Sequence, residues 1–279
     1  MFSDSVRLSN CVNNISNYEL NLSTLTNSFD MNRLQGKRLL ITGGTTGIGL
    51  ETAKQFLLEG ARVVITGQNP DTLAQAQQEL GKEVIIIESD AGKVDEQQRL
   101  VAEIERVFGQ IDGVFINAGI AIFQPIEQWD EAAFDCQIAV NFKGPYFLIQ
   151  SLLPILANPT SIVLNTSINA HIGMPNSSVY SASKAAMISL AKTLSGELIE
   201  RGIRVNAVSP GPIATPILGK SGLPVEILQQ VAEMLRAQIP LKRFGDPIEI
   251  AKAVVFLISD ESSFMLGSEM IIDGGTSTL

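Results

Sequence analysis

Two side chains four residues apart, Tyr180 and Lys184, could carry out proton-transfer chemistry. They lie in a helical pattern from Val179 to Ile199, and residues spaced by four project from the same face of a helix. An ammonium group beside a phenol favours the phenolate, so the tyrosine could exchange a proton nearer neutral pH than its free pKa of about 10 allows. The pair is therefore a candidate general acid and base. An ordinary pair on a helix surface would give the same spacing.

Ser167 is a further candidate because of its place after a predicted strand. It follows the apolar run Ile162–Asn165, which predicts a buried strand. Ligands of doubly wound sheets bind beyond the carboxyl ends of the strands, so the Ser167 hydroxyl could hold a substrate oxygen beside Tyr180. The alternative is that Thr166 or Ser167 is a plain turn or capping residue.

A glycine-rich turn follows the first predicted strand and precedes a helical run that ends near Glu59. Its sequence is Thr42-Gly43-Gly44-Thr45-Thr46-Gly47-Ile48-Gly49. Gly43, Gly47 and Gly49 allow a sharp turn, a close approach to a pyrophosphate and tight packing of helix on strand. The helix N-terminus then offers unpaired N–H groups to the anion. The turn predicts a dinucleotide site, although glycines also occur in turns for steric reasons alone.

The elements that must position these residues follow an alternation of strands and helices. Short β-branched runs are separated by helical stretches, and continuously apolar strands are typical of a parallel sheet covered on both faces. We therefore predict an α/β fold with a single doubly wound domain and about seven parallel strands. The predicted strands are Leu39–Thr42, Arg62–Thr66, Val84–Ile87, Val114–Ile116, Ile162–Asn165, Val205–Val208 and Met270–Ile272.

Two stretches depart from this alternation. Residues 1–33 are rich in Ser and Asn and carry few charges, so we predict a disordered N-terminal extension, or a start codon assigned too early with Met31 as the true start. The compact domain is then predicted over residues 34–279. Within it, residues 210–240 hold Gly, Pro and a short helical pattern, which predicts a lid over the substrate. The alternative is a surface excursion without a role.

Composition excludes several classes of protein. The 279-residue chain has a net charge of −9 and no basic stripe, which argues against a nucleic-acid surface and against a basic membrane anchor. Its apolar runs are too short to span a bilayer. Two cysteines and one histidine leave no disulfide framework and no zinc site, so we predict no metal and a cytoplasmic location.

The glycine turn reads T-G-x-x-x-G-x-G, and other motifs follow it in order from residue 34 almost to the end of the chain. They are Asn117-Ala118-Gly119, Asn141, Ser167, Tyr180-x-x-x-Lys184, Pro210-Gly211 and Asp273-Gly274-Gly275. The set resembles the single-domain branch of the short-chain dehydrogenase/reductase (SDR) family, including its 3-oxoacyl-reductase-like and glucose-dehydrogenase-like members. The resemblance implies a Rossmann fold and hydride transfer between NAD(H) or NADP(H) and a carbonyl or alcohol (EC 1.1.1.-).

The resemblance also implies roles for individual residues. Tyr180 would be the general acid and base, Ser167 would hold the substrate oxygen, Lys184 would also bind the nicotinamide ribose, and Asn141 would hold a water in a proton relay. The implied cofactor contacts are Gly43, Thr45, Thr46, Gly47, Ile48, Gly49, Gln68, Asn69, Asp90, Ala91, Asn117, Ala118, Gly119, Tyr180, Lys184, Pro210, Gly211, Ile213 and Thr215.

Some of these assignments have alternatives. Asp90 resembles the family's adenine contact but could be an ordinary loop acid. His171, the only histidine, is predicted to line the pocket and contact substrate together with Ser167 and Tyr180, or else to be structural. Ile172, Met174, Ile217 and Leu218 suggest an apolar pocket, which would also include Ala121–Gln124.

The form of the cofactor is predicted from the end of the second strand. An NAD site usually carries an acid here, whereas this chain has Gln68 and Asn69. We favour NADP(H), because no acid repels its 2′-phosphate and neutral side chains could donate hydrogen bonds to it. NAD(H) stays open, because family members that prefer the phosphate commonly carry Arg in place of Gln68 and a basic residue in place of Thr46.

Two other functions compete with this prediction. A sugar-nucleotide epimerase or dehydratase of the same superfamily usually shows T-G-x-x-G-x-x-G and a larger C-terminal domain, which this chain lacks. A non-catalytic dinucleotide-binding regulator would have lost the four implied catalytic residues. All four are present here: Asn141, Ser167, Tyr180 and Lys184. The resemblance also implies a homotetramer or homodimer, and the apolar faces of residues 139–153 and 185–194 are compatible with packing between subunits or within the core.

Overall fold

The computed structural model of the protein describes residues 32–216 and 225–279. The extension predicted over residues 1–33 falls almost wholly outside the described residues, and so does the part of the predicted lid from 217 to 224, including Ile217 and Leu218. The strands are β1 Arg38–Ile41, β2 Arg62–Gly67, β3 Ile85–Glu88, β4 Ile111–Ile116, β5 Leu156–Asn165, β6 Ile203–Pro210 and β7 Glu269–Ile272. The α-helices are α1 Gly47–Leu58, α2 Pro70–Leu80, α3 Val94–Phe108, α4 Glu131–Ile138, α5 Gly144–Leu152, α6 Ser178–Leu198, α7 Val225–Gln238 and α8 Pro247–Ile258.

The seven strands form one sheet in the order β3-β2-β1-β4-β5-β6-β7. Every pair of neighbouring strands is parallel. The chain moves outward in one direction from β1 to β3 and then crosses back to continue from β4 to β7. In such sheets the crevice for ligands opens where the direction changes, at the carboxyl ends of β1 and β4. The predicted doubly wound fold is confirmed.

Helices cover both faces of the sheet, and β1 shows how. Leu39 and Ile41 face one side and belong to a core cluster with Phe56 of α1 and Val254 of α8. Leu40 faces the other side, where the core includes residues of α3, α5 and α6. Side chains of a strand alternate between its two faces, so a strand buried on both faces must be apolar throughout. This is why the strands read as continuous apolar runs.

Three local features differ from the predictions or sharpen them. Strand β5 begins at Leu156, earlier than predicted. The prediction missed its first residues because Asn158 and Pro159 interrupt the apolar pattern. The helical stretch around Asn141 contains a π-helical turn, Ala139–Lys143, between α4 and α5, and such turns often occur at functional sites. The helical pattern in the insertion forms α7. None of the described helices is long and apolar enough to cross a bilayer.

Candidate active site

The glycine-rich turn connects β1 to α1 and has the shape of a phosphate cradle. The backbone φ angles of Gly43 and Gly47 are +63° and +56°, which side chains rarely adopt. A Cβ on Gly49 would lie 2.2 Å from the Gly43 carbonyl oxygen. The N-cap, Thr46, makes no side-chain hydrogen bond to the first turn of α1, and that turn holds no acid. Its N–H groups can therefore bind the pyrophosphate of a dinucleotide.

The Asn117 side chain fastens this turn to the centre of the sheet. Its Nδ2 donates hydrogen bonds to the carbonyl oxygens of Thr42 and Gly43, each at 3.0 Å. The Thr42 hydroxyl accepts from the backbone N–H groups of Asn117 at 2.9 Å and Ala118 at 3.0 Å. Asn165 Nδ2, at the end of β5, donates to Asn117 Oδ1 at 2.8 Å. The carboxyl ends of β1, β4 and β5 are thus joined by side chains.

Asp90 and Ala91 lie in the turn that follows β3, at the same edge of the sheet. The Asp90 N–H donates to the Glu96 carboxylate at 2.7 Å, and Gln97 donates from its side chain to the Asp90 carbonyl oxygen at 2.8 Å. The Asp90 carboxylate accepts from the Gly92 N–H at 2.9 Å. Helix α3 therefore holds the turn in the position where an adenine contact is predicted.

Gln68 and Asn69 follow β2, as predicted, but they are not equivalent. Asn69 is the N-cap of α2, and its Oδ1 accepts from the N–H groups of Asp71 and Thr72 at 2.9 and 3.2 Å. The Thr72 hydroxyl donates to Thr45 Oγ1 at 3.2 Å, which ties α2 to the glycine-rich turn. Gln68 is exposed. Among the described residues, neither the Nδ2 group of Asn69 nor the Gln68 side chain has a hydrogen-bond partner, so both are available as donors to a ligand.

Tyr180, Lys184 and Ser167 meet where α6 crosses the end of β5. The Ser167 hydroxyl accepts from the Asn169 N–H at 3.2 Å and lies close enough to the Tyr180 phenol to lower its pKa. Lys184 is buried, with its Nζ donating to the Asn165 carbonyl oxygen at 2.8 Å and lying 5.7 Å from the centre of the Tyr180 ring. The three predicted residues therefore share one site.

The electrostatics of this site differ from the sequence-based expectation. Burial raises the pKa of the Tyr180 phenol, and the hydrogen bond from Ser167 opposes that rise. Burial also lowers the pKa of Lys184 from 10.5 to about 8. The expectation that the Lys184 ammonium lowers the tyrosine pKa is wrong for this arrangement, because the ammonium bonds to a carbonyl oxygen and desolvation dominates both groups.

Asn141 lies in the π-helical turn, and both N–H bonds of its side-chain amide have partners. Its Oδ1 accepts from the Ile120 N–H and its Nδ2 donates to the Ile120 carbonyl oxygen, both at 2.9 Å. Nδ2 also donates to Ser183 Oγ at 3.2 Å. A Cβ on Gly119 would lie 3.3 Å from Asn141 Oδ1 and 3.5 Å from Lys184 Nζ. Asn141 therefore fixes the segment after Gly119 beside the lysine.

The segment after β6 crosses towards the glycine-rich turn. Pro210 ends β6, and the Gly211 N–H donates to the last residue of β7 at 2.9 Å. A Cβ on Gly47 would lie 3.3 Å from the Cβ of Thr215, so Thr215 lies directly against the turn. Ile213, which lies between Gly211 and Thr215 in the chain, is buried. Of the predicted cofactor contacts in this segment, Thr215 is the one that the structure places against the glycine-rich turn.

An aromatic side chain packs against the Tyr180 ring. The Phe123 ring packs edge-on against the Tyr180 ring, with 5.4 Å between their centres and 62° between their planes. Phe123 and Met174 are both exposed. His171 directs Nε2 to the Glu269 carboxylate at 2.6 Å, a partner the sequence did not predict. Whether His171 also contacts substrate stays a prediction.

Comparison with known proteins decides the family. Residues 43–277 match the family model described as enoyl-(acyl carrier protein) reductase. The 3-oxoacyl-[acyl-carrier-protein] reductase FabG of Thermotoga maritima is 38% identical over 87% of this chain and 98% of its own length. The NADP-dependent (R)-specific alcohol dehydrogenase of Lentilactobacillus kefiri is 35% identical over 87% of this chain and 97% of its own. A short-chain dehydrogenase/reductase structure from Brucella melitensis superposes with a TM-score of 0.82 at 33% identity, covering 88% of this chain and 99% of that one.

The chain is a short-chain dehydrogenase/reductase. The predicted family membership and general activity are thereby confirmed. This SDR protein is an NAD(P)(H)-dependent oxidoreductase that interconverts a carbonyl group and an alcohol of a small-molecule substrate. Nothing in these matches supports the non-catalytic alternative.

Four residues around the SDR site were missed by the sequence analysis. Thr42 and Asn165 complete the hydrogen bonds around Asn117, and a polar residue at each strand end was the available signal. Phe123 lies within the segment 121–124 that was predicted to line the pocket, but it was not singled out. Glu269 left no local signal, because it is 98 positions from His171.

Proposed function

We propose that this SDR enzyme interconverts an uncharged, mainly apolar ketone and its secondary alcohol, with Tyr180 as the acid and base. The observation that carries the proposal is the near absence of charge around the phenol. In residues 113–126 and 155–191, the segments that hold Ser167, Phe123 and Met174, the only ionisable side chains are His171, Tyr180 and Lys184. Lys184 is buried and His171 faces Glu269. A carboxylate or phosphate on the substrate would find no free cation in these segments.

The proposed mechanism follows from the hydrogen bonds at the end of β5. The Asn169 N–H occupies one acceptor site of Ser167 Oγ, and the serine proton, which faces the Tyr180 phenol, can turn to the substrate oxygen when substrate binds. In the direction of reduction, Tyr180 donates its phenolic proton to that oxygen. In oxidation, it takes the proton back. The bound nicotinamide supplies the hydride in one direction and accepts it in the other.

Lys184 and Asn141 support the tyrosine. A lysine with a pKa near 8 can hold or release a proton near neutral pH, so Lys184 is placed to restore the phenol proton and to hold the nicotinamide ribose. The Asn141 side chain is engaged with Ile120 and Ser183. We propose that any relay water at this residue binds its main-chain carbonyl, and that its side chain keeps Ile120 beside the nicotinamide.

For the cofactor, we propose a preference for NADP(H), because no acid ends β2. Exposed Gln68 and the free Nδ2 of Asn69 would be the donors nearest to a 2′-phosphate. The alcohol dehydrogenase from L. kefiri, named as NADP-dependent, is one relative of this kind. Titration of both reduced cofactors, followed by their fluorescence, tests the preference. Tighter binding of NADH would overturn it.

We further propose a cytoplasmic homotetramer or homodimer. Several large apolar side chains are exposed on the single chain: Phe134 on α4, Tyr146 on α5, Phe264 and Leu266 before β7, and Ile271 on β7. The strand β7 also ends the sheet. A second copy would cover this apolar surface, and the scarcity of thiols suits a reducing compartment. Sedimentation equilibrium would give the assembly, and a purely monomeric protein at micromolar concentration would refute it.

The experiment for the catalytic proposal compares Tyr180→Phe with Tyr146→Phe. Tyr146 is an exposed tyrosine on α5, so its replacement is the matched control. We expect Tyr180→Phe to lower kcat by at least about 100-fold, because general acid catalysis contributes this much, while cofactor affinity changes less than about threefold. Turnover by Tyr180→Phe at the rate of the control would refute the role of Tyr180.

The substrate proposal has its own test. The wild-type enzyme is assayed with an aryl alkyl ketone, a 2-alkanone, a 2-oxo acid and an aldose, by following the oxidation of the reduced cofactor. We expect kcat/KM to be highest for the two apolar ketones. A kcat/KM at least as high for the 2-oxo acid or the sugar would overturn the proposed substrate class and leave the role of Tyr180 standing.

A further inference from the structure

One carboxylate, that of Glu269, is linked to both sides of the turn that carries Ser167, directly through His171 and indirectly through Ser209. Glu269 is the first residue of the edge strand β7, and its side chain is mostly buried. Its Oε1 accepts from Ser209 Oγ on β6 and meets His171 Nε2 at 2.6 Å. Glu269 hydrogen-bonds to neither Tyr180 nor Ser167, and the catalytic proposal gives it no role.

On the amino-terminal side of the turn, Ser209 connects Glu269 to Thr166. The Thr166 and Ser209 hydroxyls are hydrogen-bonded to each other, and both residues are buried. Thr166 also pairs through its backbone N–H with the Val208 carbonyl oxygen at 2.8 Å. Thr166 immediately precedes Ser167, so this arm fixes the point where the turn leaves β5.

On the other side, His171 reaches Glu269 directly. It follows the 3₁₀ turn Ile168–Ala170 and hydrogen-bonds through its N–H to the Ile168 carbonyl oxygen at 2.8 Å. The strand order β5-β6-β7 brings the two residues together although they are far apart in sequence. One end of the Ser167 turn therefore binds the Glu269 carboxylate directly, and the other end is linked to the same carboxylate oxygen through Ser209.

An ionised carboxylate can only accept hydrogen bonds, and this fixes the direction of the arrangement. The single proton of Ser209 must point to Glu269, and His171 must carry a proton on Nε2. The Thr166 hydroxyl proton faces both the Val208 carbonyl oxygen, at 2.8 Å, and Ser209 Oγ. We infer that Glu269 is a positioning residue for catalysis: it holds Ser167 in line with Tyr180 by binding one end of the turn through His171 and the other through Ser209. This inference rests on the proposed role of Ser167.

The expected effect is on turnover and not on cofactor binding. The glycine-rich turn is fastened through Asn117 and lies at other strands of the sheet. A displacement of about 1 Å near reacting groups can lower the rate about 100-fold. We therefore expect Glu269→Ala to lower kcat about 10- to 100-fold with unchanged cofactor Kd, and Glu269→Gln, which keeps an acceptor oxygen, to recover at least half of that loss on a logarithmic scale.

The matched control is Asp112→Asn. The Asp112 carboxylate also joins two strands, because Arg38 Nε on β1 donates to it at 2.7 Å. This bond lies at the amino-terminal ends of β1 and β4, whereas Ser167 follows the carboxyl end of β5. His171→Ala is a second test that leaves the buried part of the arrangement intact, because His171 is partly exposed. We expect a smaller fall in kcat, about three- to tenfold, with an unchanged substrate KM.

The readouts separate positioning from a general loss of structure. Each variant is measured for kcat, substrate KM, cofactor Kd and the kinetic isotope effect with the deuterated reduced cofactor. A mispositioned Ser167 slows the chemical step, so we expect the isotope effect to rise in Glu269→Ala and to stay unchanged in Asp112→Asn. An equal loss of kcat in both variants, or Glu269→Ala with wild-type kcat, overturns the inference.

Two outcomes identify other roles. If His171→Ala raises KM and leaves kcat unchanged, His171 contacts substrate and does not act through Glu269, which also overturns the inference. If Tyr180→Phe keeps full activity while Glu269→Ala loses it, the catalytic proposal fails and the requirement for Glu269 has another cause. The two failures are thus distinguishable.

Discussion

Replacing Lys184 with methionine should stabilise the fold while it abolishes turnover. Lys184 is buried between α6 and the end of β5, and its Nζ donates to the Asn165 carbonyl oxygen. No carboxylate contributes to its pKa, which burial alone lowers from 10.5 to about 8. The protein therefore holds this ammonium against a desolvation penalty. Methionine has a similar length and carries no charge.

The magnitude follows from the lysine pKa in the two states. At about 1.36 kcal/mol per tenfold change in proton affinity, the lowered pKa of Lys184 corresponds to a penalty of roughly 3 kcal/mol at pH 7. Methionine also removes the hydrogen bond to Asn165, which contributes about 1 kcal/mol. We expect a net gain of about 2 kcal/mol in the free energy of unfolding, or roughly 4–8 °C in Tm.

The lowered pKa of Lys184 also predicts the direction in which the free energy of unfolding changes with pH. Between pH 8 and 10.5 the unfolded lysine keeps its proton and the folded one has released it, so the unfolded state binds more protons and wild-type stability rises with pH. By pH 9.5 the wild-type protein should have gained about 2 kcal/mol from this group, and its difference from Lys184→Met should have nearly closed. Below pH 8 the difference should be constant.

The assay is urea unfolding at pH 7 and pH 9.5, at one protein concentration, for the wild-type protein and two variants. Lys192→Met is the control, because Lys192 is exposed on the same helix, and we expect it to change neither the stability nor the slope with pH. If Lys184→Met is less stable than the wild-type protein at pH 7, or if the gap stays the same at pH 9.5, the desolvation argument is wrong.

Two further predictions concern the cofactor. Gly49→Ala should weaken cofactor binding by at least about tenfold and destabilise the fold by roughly 1–3 kcal/mol, because the methyl group would lie 2.2 Å from the Gly43 carbonyl oxygen. The control is Gly196→Ala, whose Cβ meets nothing within 4 Å and which should leave cofactor affinity unchanged. Equal cofactor affinities of the two variants in fluorescence titrations would contradict the prediction. Gln68→Arg should raise the affinity for NADPH relative to NADH about tenfold, since charge-assisted hydrogen bonds contribute roughly 1.5–3 kcal/mol; an unchanged ratio would place the 2′-phosphate elsewhere.

Much of the fold could be predicted from the sequence because its signals are local. Strands covered on both faces are mainly apolar, so β1 and β2 stand out without any knowledge of their neighbours. The predicted starts were less reliable, as β5 shows. There Asn158 and Pro159 interrupt the apolar pattern inside the strand, and only pairing with β4 and β6 defines where it begins.

The residues of the site could be predicted from the sequence, whereas their hydrogen-bond partners and the causes of their pKa shifts could not. The spacing of Tyr180 and Lys184 shows that they share a helix face, but it does not show that the ammonium bonds to Asn165 and that burial dominates both pKa values. Likewise, His171 stood out as the lone histidine. Its partner Glu269 becomes its neighbour only through the order of the strands.

The hydrogen bonds around Asn117 have a consequence for how new specificities arise in this protein. Asn117 anchors the glycine-rich turn to backbone groups of Thr42 and Gly43 and to the side chain of Asn165. Neither Phe123 nor Met174 takes part in that anchoring. Mutations at these two pocket positions can therefore accumulate without moving the bound dinucleotide. We expect the evolvable part of the molecule to be the pocket wall, and Thr42, Asn117 and Asn165 to tolerate replacement only as a set.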